Sequence, residues 1–433
     1  MFSKLSRNGI GMYRMHFRSA ENERALYKAL QKQPEKQLVI NVIDTSTNYG
    51  DGGSERLIGK VLEHPQKDTL TRSEIYIMSK FGYIQGTNME LYHQGEFKTI
   101  PDEQIVKYHP NCFHCIHPEF MRDQLDRSLR RIKTNHLNLL FIHNPEYYLL
   151  HEVKNGASRN VIEAAQNELL HRISETFEAL EEEITKGRIC AYGISSNSFS
   201  VKREDKHFLP YENLIESAKK AAKKVRGVND HGFVGVQLPG NLLEQEGLKT
   251  TAKWAKENGL KVFINRPLNA FTEETGYRLA SYPEPRYEES KQQVISFLET
   301  KIRGVDSPSR YAFDLINQLD SELPKIQSVF IWEQYTYTIN AAIENLKISP
   351  EIYSAFINFL NAFDAEIRFK DSQQVRKYLI KECGFKELES DEKKKVEEFA
   401  LEFLFSSGVV DTVLMGLTKQ IYVDFVRDFL SKN

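Results

Sequence analysis

Residues 38–64 read LVINVIDTSTNYGDGGSERLIGKVLEH, and three local patterns follow one another inside them. Leu38–Asp44 is a nearly continuous apolar, β-branched run, the pattern of a parallel strand buried on both faces. Asn48–Gly53 is rich in glycine, but its spacing matches neither the phosphate-cradling nor the dinucleotide glycine motif, so it reads as a turn. Ser54 and Glu55 then supply the capping and acidic first-turn signals of an amphipathic helix over Ser54–His64. One strand leads through one turn into one helix.

The same unit recurs outward in both directions. Further strand-like runs are Gly9–Met15, Glu74–Lys80, Leu137–His143, Ile189–Ser195, Phe233–Pro239, Leu260–Arg266 and Val409–Gly416. Helical patterns lie between them at Glu21–Gln33, Pro118–Lys133, Asn160–Gly187, Tyr211–Gly227, Gln245–Gly259 and Ile421–Ser431, several closing on glycine. Eight β-then-α units predict an α/β protein folded as a (β/α)8 TIM barrel. An open sheet is the alternative that periodicity alone leaves standing. Two connections break the rhythm. Phe81–His117 holds a loop long enough to be functional or disordered. Pro267–Val409 holds an insertion, with a helix of the repeat at Lys394–Ser406 and further helices at Tyr287–Arg303, Arg310–Leu319, Gln334–Leu346 and Pro350–Phe363. The expected organisation is one barrel domain over 1–433, with residues 270–393 as a helical insertion near the barrel mouth.

The 433 residues are 40% hydrophobic and 27% charged, with a net charge of −2, so the chain can build a core and has no bulk attraction to nucleic acid or anionic membrane. No apolar run reaches the roughly 18 residues that span a bilayer, and the first residues lack an apolar signal core. Four cysteines in so long a chain argue against a disulfide scaffold and for a reducing, cytoplasmic compartment.

In such a barrel the reacting groups sit at the C-terminal ends of strands. Three predicted strands end in an ionisable residue: Asp44, Lys80 and His143. Tyr49 follows Asp44 in the turn before Ser54. A tyrosine is a poor acid at neutral pH, and a neighbouring ammonium favours its phenolate. Lys80 is expected to supply that charge, Asp44 to hold Lys80, and His143 to bind and orient a carbonyl oxygen. Singly, each has a plain structural reading: a turn cap, a surface charge, loop packing, a satisfied histidine. Their shared position at one mouth is what points to chemistry.

The run Ile43-Asp44-Thr45-Ser46-Thr47-Asn48-Tyr49-Gly50, followed by Ser54-Glu55 and Leu57-Ile58-Gly59, resembles the signature of the aldo-keto reductases. Gly9–Arg14, Ser79-Lys80, His143-Asn144-Pro145 and Lys186–Ser195 resemble further segments of that family. The resemblance implies an NAD(P)-dependent oxidoreductase reducing an aldehyde or ketone, or oxidising an alcohol or sugar, with Tyr49 as proton donor. It also implies cofactor contacts from Asp44, Ser195, Ser196 and Gln237, and from Asn265, Arg266 and Leu268 after the seventh strand. Gly416, Thr418 and Lys419 stand where the family has its phosphate-binding turn. NADP is the expected cofactor, with NAD possible. The sequence departs from the family at Ser196, where an asparagine is usual, and at Arg266-Pro267-Leu268, where a stacking aromatic is often found. Those departures and the insertion keep a second reading open, a regulatory or binding protein on a reductase scaffold.

His109, Cys112, His114, Cys115 and His117 gather five potential metal ligands in one short stretch. No second pair stands at finger spacing, so the stretch reads as loop and helix entry, and no metal is expected. Tyr83, Tyr147 and Tyr148 are candidate pocket-wall aromatics. The basic run Lys219–Arg226 reads as a solvated helix face.

Overall fold

The computed structural model describes residues 4–33, 39–272, 275–301, 308–326, 328–344 and 348–432. They divide into two compact units, one comprising Met1–Gly240, Glu244–Pro267 and Leu404–Asn433, the other Asn241–Leu243 and Leu268–Phe403. Among the described residues, no helix is long and apolar enough to cross a membrane.

The first unit is a closed barrel of eight strands, numbered here in chain order: β1 Asn8–Gly11, β2 Val42–Asp44, β3 Tyr76–Phe81, β4 Leu139–His143, β5 Tyr192–Ser195, β6 Phe233–Pro239, β7 Lys261–Asn265 and β8 Thr412–Met415. Each strand pairs in parallel with the next, and β8 closes on β1. This closure removes the open-sheet alternative. The helices are α1 Ala20–Leu30, α2 Gly53–Glu63, α3 Pro118–Ile132, α4 Arg159–Thr185, α5 Leu214–Arg226, α6 Thr251–Glu257, α7 Val396–Ser406, whose residues up to Phe403 fall in the second unit, and α8 Gln420–Lys432. The predicted elements fall on these; β2, β4 and β5 keep only the C-terminal part of their predicted runs, while β6 spans Phe233–Pro239 as predicted. Leu38, the predicted start of the second strand, lies outside the described residues, as do Arg303 and Leu346 in the insertion.

Side chains alternate across a strand with a period of two. Val42, Met78, Leu139, Phe141, Phe263 and Leu414 pack together as one cluster. Two residues beyond Val42, Met78, Phe141 and Phe263 come Asp44, Lys80, His143 and Asn265. The apolar cluster therefore sets the direction of the polar layer above it. Gly193 and Gly235 make room in the cluster, since an added Cβ would lie 2.6 Å from the Phe141 ring and 3.0 Å from the Phe263 ring respectively. Ser195 and Gln237 follow them by the same step of two.

The long connection after β3 is not a bare loop. It forms a helix at Thr87–His93 and a three-stranded antiparallel sheet of Tyr83–Ile84, Cys112–His114 and Val106–His109. Its strands are too short for an alternation to register in sequence. A second unpredicted helix, Tyr147–Lys154, follows β4.

The second unit contains a hairpin of Asn269–Phe271 and Gly276–Arg278, and helices Tyr287–Glu299, Pro308–Glu322, Val329–Glu344 and Pro350–Lys381. Trp332, Phe356, Phe359 and Phe363 centre its core. The last helix continues well past the predicted end at Phe363. Buried Phe363, Ile367, Asp371, Val375 and Leu379 form one stripe at i, i+4 spacing, and the aspartate within that stripe breaks the apolar signal.

Helices α2 and α3 touch at Gly59, where a Cβ would lie 2.2 Å from the Arg131 carbonyl oxygen. Gly59→Ala should force the helices apart and cost about 1–3 kcal/mol, read as a lower urea midpoint. An unchanged midpoint would show that this contact does not set the spacing.

Candidate active site

Asp44, Lys80 and His143 end or nearly end β2, β3 and β4 and are all buried. After Asp44 the chain runs alongside β3, with Thr45 N–H donating to the Met78 carbonyl and Thr47 N–H to the Lys80 carbonyl. Gly50, Asp51 and Gly52 all take left-handed φ values, which reverses the chain into α2. This turn places Tyr49 over Lys80. Ser54 and Glu55 fasten it: the hydroxyls of Ser54 and Thr45 lie 2.7 Å apart, and buried Glu55 accepts from Ser79 and Arg131, each at 2.6 Å.

Lys80 Nζ donates to Asp44 Oδ2 at 2.7 Å, to the Thr45 carbonyl at 2.9 Å and to Tyr49 Oη at 3.2 Å. An ammonium has three protons, and these three partners use all of them. Tyr49 accepts from Lys80, so its own proton is left to point elsewhere. Burial opposes both charges of the pair, raising the Asp44 carboxyl and lowering the Lys80 ammonium, while their mutual contact opposes burial.

The sequence reading expected Lys80 to pull the Tyr49 pKa down. The surroundings do the reverse: burial, then the charges of Asp44 and Tyr13, push it well above its ordinary value of 10.0. The Lys80 charge is already matched by Asp44, so Tyr49 faces a nearly neutral pair and keeps its proton.

His143 is held well below its ordinary value by burial and by the charges of Lys80 and His114, so its ring is neutral. Its Nδ1 lies 3.2 Å from Ser46 Oγ, which also contacts Asn48 Oδ1 at 2.7 Å. The serine has one proton. Given to Asn48 it leaves the imidazole protonated at Nδ1, and given to the imidazole it leaves Nε2–H. The rings of Tyr83 and Tyr49 stand edge-on to His143, with centroids at 4.9 and 6.0 Å. His114 Nε2 donates to the His143 carbonyl at 2.7 Å, and burial lowers His114 to about 4. Gly82 allows this approach, since a Cβ there would lie 2.6 Å from the His114 ring. The His/Cys stretch thus braces His143, and among the described residues no group of three or more metal-ligating side chains forms.

The cofactor candidates divide. Gln237 Nε2 donates to Asp44 Oδ1 at 2.7 Å, and Gln237 Oε1 accepts from Ser195 at 3.0 Å and Asn265 at 3.4 Å. Gln237 joins these residues to the Asp44–Lys80–Tyr49 group, and the buried Asn265 Oδ1 has no hydrogen-bond partner among the described residues. Ser196 turns away and donates to buried Glu146 at 2.8 Å. Arg266, at φ 54°, reaches Glu244 at 2.8 Å. Leu268 belongs to the second unit. Gly416 and Lys419 are exposed and precede α8, and the Thr418 carbonyl accepts from Asn22 at 3.0 Å. Sequence reasoning missed Ser46 and Glu146, and it named His114 only as one of five potential metal ligands. The only trace of Glu146 is an acidic residue just after the apolar run of β4.

A family model described as the aldo/keto reductase family matches residues 9–292, and the chain belongs to that family. A comparison with curated proteins finds no match. Among solved structures, an aldo/keto reductase from Klebsiella pneumoniae in complex with NADP and acetate is 18% identical, with 61% of this chain and 65% of that one covered and a TM-score of 0.36. This chain therefore spans less than two thirds of that protein's length. An aldo-keto reductase from Bacillus halodurans in its holo form is 15% identical over 98% of this chain and 87% of that one, with a TM-score of 0.47. The glycerol dehydrogenase of Gluconobacter oxydans is 17% identical over 99% and 88%, also with a TM-score of 0.47.

Removing one partner of a buried ion pair strands the other charge. Lys80→Met should cost about 3–5 kcal/mol in urea denaturation. The double variant Asp44→Asn/Lys80→Met should recover part of that loss. A double variant no more stable than the single one would show that the two charges do not support each other.

Proposed function

We propose that the protein is an NADP-dependent oxidoreductase that reduces an aldehyde or ketone, or oxidises the matching alcohol, with Tyr49 moving the proton. The observation that carries this reading is the Lys80 contact set, which leaves the Tyr49 proton facing away from its only cationic neighbour in the set.

The residues at the mouth fit a dinucleotide. Ser195, Gln237 and Asn265 form a buried amide-and-hydroxyl cluster beside Asp44, and the Asn265 oxygen there lacks a partner. They would hold the carboxamide end. Gly416 has open space where a Cβ would stand, and Lys419 precedes the N-terminus of α8, a setting suited to a phosphate. Lys419 as a point charge is the ground for preferring NADP to NAD. The bound cofactor supplies or accepts a hydride.

The chain's own residues do the rest. His143, neutral and fixed from behind by His114, orients the substrate and donates to the carbonyl oxygen in its Nε2–H form, reached when Ser46 turns its proton from Asn48 to Nδ1. Tyr49 gives its proton to the same oxygen as it gains charge. The phenolate left on Tyr49 keeps the hydrogen bond from Lys80 Nζ, whose ammonium offsets its charge. Tyr83 walls one side of His143, which suits an apolar or ring-bearing carbonyl substrate.

Tyr49→Phe should lower kcat for any carbonyl the wild type reduces by about 10²–10⁴-fold, with the NADPH dissociation constant unchanged. Full turnover by the variant would overturn the assignment. Tyr49 is held above its ordinary pKa, so its proton is present through neutral pH and leaves only as pH rises past 10. Reduction should therefore stay level from pH 7 to 9, whereas alcohol oxidation, which needs the phenolate, should climb throughout. A reduction rate that falls between pH 7 and 9 would contradict this. Dinucleotide binding with no turnover across an aldehyde, ketone and sugar panel would instead favour a binding protein on this scaffold.

A further inference from the structure

Glu146 is an acid that the proposed mechanism does not use, and it is 1% exposed. It lies just beyond β4, in the segment His143-Asn144-Pro145-Glu146. Its Oε1 accepts from the Asn197 N–H at 2.9 Å and the Ser198 N–H at 3.4 Å, and its Oε2 accepts from the Ser196 hydroxyl at 2.8 Å. Ser196 Oγ in turn accepts from the Ser198 N–H at 3.1 Å. The carboxylate is thus the hub of the turn that follows β5. The turn is tied to the candidate cofactor cluster on both sides: the Asn144 N–H donates to the Ser195 carbonyl at 2.6 Å, and the Ser196 N–H donates to the Gln237 carbonyl at 3.0 Å.

We infer that Glu146 is a positioning residue for the dinucleotide, whose carboxylate holds the Ser196–Ser198 turn, and with it Ser195, in the arrangement that receives the cofactor, and whose protonation loosens that hold. This rests on the function proposed above. All three partners of Glu146 are donors, which suits a carboxylate and not a carboxylic acid. A proton on Oε2 would face the Ser196 hydroxyl, which already accepts from Ser198 N–H and would lose the acceptor for its own proton. Ser198 Oγ, buried in the same turn, has no hydrogen-bond partner among the described residues. Among the described residues Glu146 makes no salt bridge. The titratable groups that sense its charge are the hydroxyls of Tyr83, from the segment after β3, and Tyr147, next in sequence; burial raises the pKa of each, and Glu146 adds a smaller push in the same direction. Burial lifts Glu146 itself to about 7, against the pull of the Ser196 hydroxyl and of the backbone N–H groups of Glu146, Asn197 and Ser198. The proton is therefore taken up close to neutral pH.

The sign follows. Above pH 7 Glu146 is ionised and the turn is held, and as pH falls below 7 the hold is lost and the dinucleotide should bind more weakly. The test is fluorescence titration of the purified protein with NADPH and with NADH from pH 5.5 to 8.5. NADH is included because the extra phosphate of NADPH titrates near pH 6 by itself. In the wild type, NADH should bind about tenfold more weakly at pH 5.5 than at 8.5. Glu146→Gln, which cannot titrate, should bind NADH with the same affinity at every pH. Ser196→Ala removes one donor to the carboxylate, so its midpoint should move to higher pH. It also carries the test if circular dichroism shows Glu146→Gln unfolded. A Glu146→Gln profile like the wild type's, or a Ser196→Ala midpoint that stays or moves down, would overturn the inference alone. No binding of either dinucleotide by the wild type at any pH would overturn the proposed function and this inference with it.

Discussion

Moving an ammonium and a carboxylate out of water costs several kcal/mol per ion, and attraction between them repays it only when geometry is good and the remaining donors and acceptors are met. Asp44 and Lys80 meet that condition inside the barrel. Each oxygen of Asp44 has a donor, Lys80 on one side and Gln237 on the other, and each proton of Lys80 has an acceptor. The turn after β2, the amide layer on β5 to β7 and the height of Tyr49 are all consequences. If Lys80 lost its cage, the carboxylate would be stranded and Tyr49 would lose the partner that fixes its hydroxyl.

The cage is possible because the barrel below it is filled. Phe141 and Phe263 occupy the space that Gly193 and Gly235 vacate, and the period of the strand then carries the next inward residue to the mouth. The polar layer needs no loop to place it. Only Tyr49 comes from a connection, and that connection is bound to α2 and α3 through Ser54 and Glu55. The Asp44–Glu55 stretch therefore does two jobs, placing the Tyr49 phenol beside Lys80 and tying down the turn that carries it.

The second unit was legible only in outline. Its helices were anticipated, but Asp371 hid the continuation of the last one. That carboxyl is buried in the apolar stripe, and desolvation pushes its pKa up to about 6. A charged residue type buried in an otherwise apolar stripe defeats a reading based on hydrophobic period. The short strands of the connection after β3 were hidden for a different reason, since two to four residues cannot display an alternation.

By itself the sequence determined the βα rhythm, the strands that end in Asp44, Lys80 and His143, and the turn that carries Tyr49. These are local patterns, and one chain segment displays each of them. Only the tertiary structure decided how those groups act on one another. It closed the barrel, balanced Lys80 against Asp44 so that Tyr49 keeps its proton, turned the Ser196 hydroxyl to Glu146, and set His114 against the His143 carbonyl. Each of these depends on burial and on contacts between residues far apart in the chain. Such contacts set the local dielectric and the hydrogen-bond partners, and spacing along the sequence encodes neither.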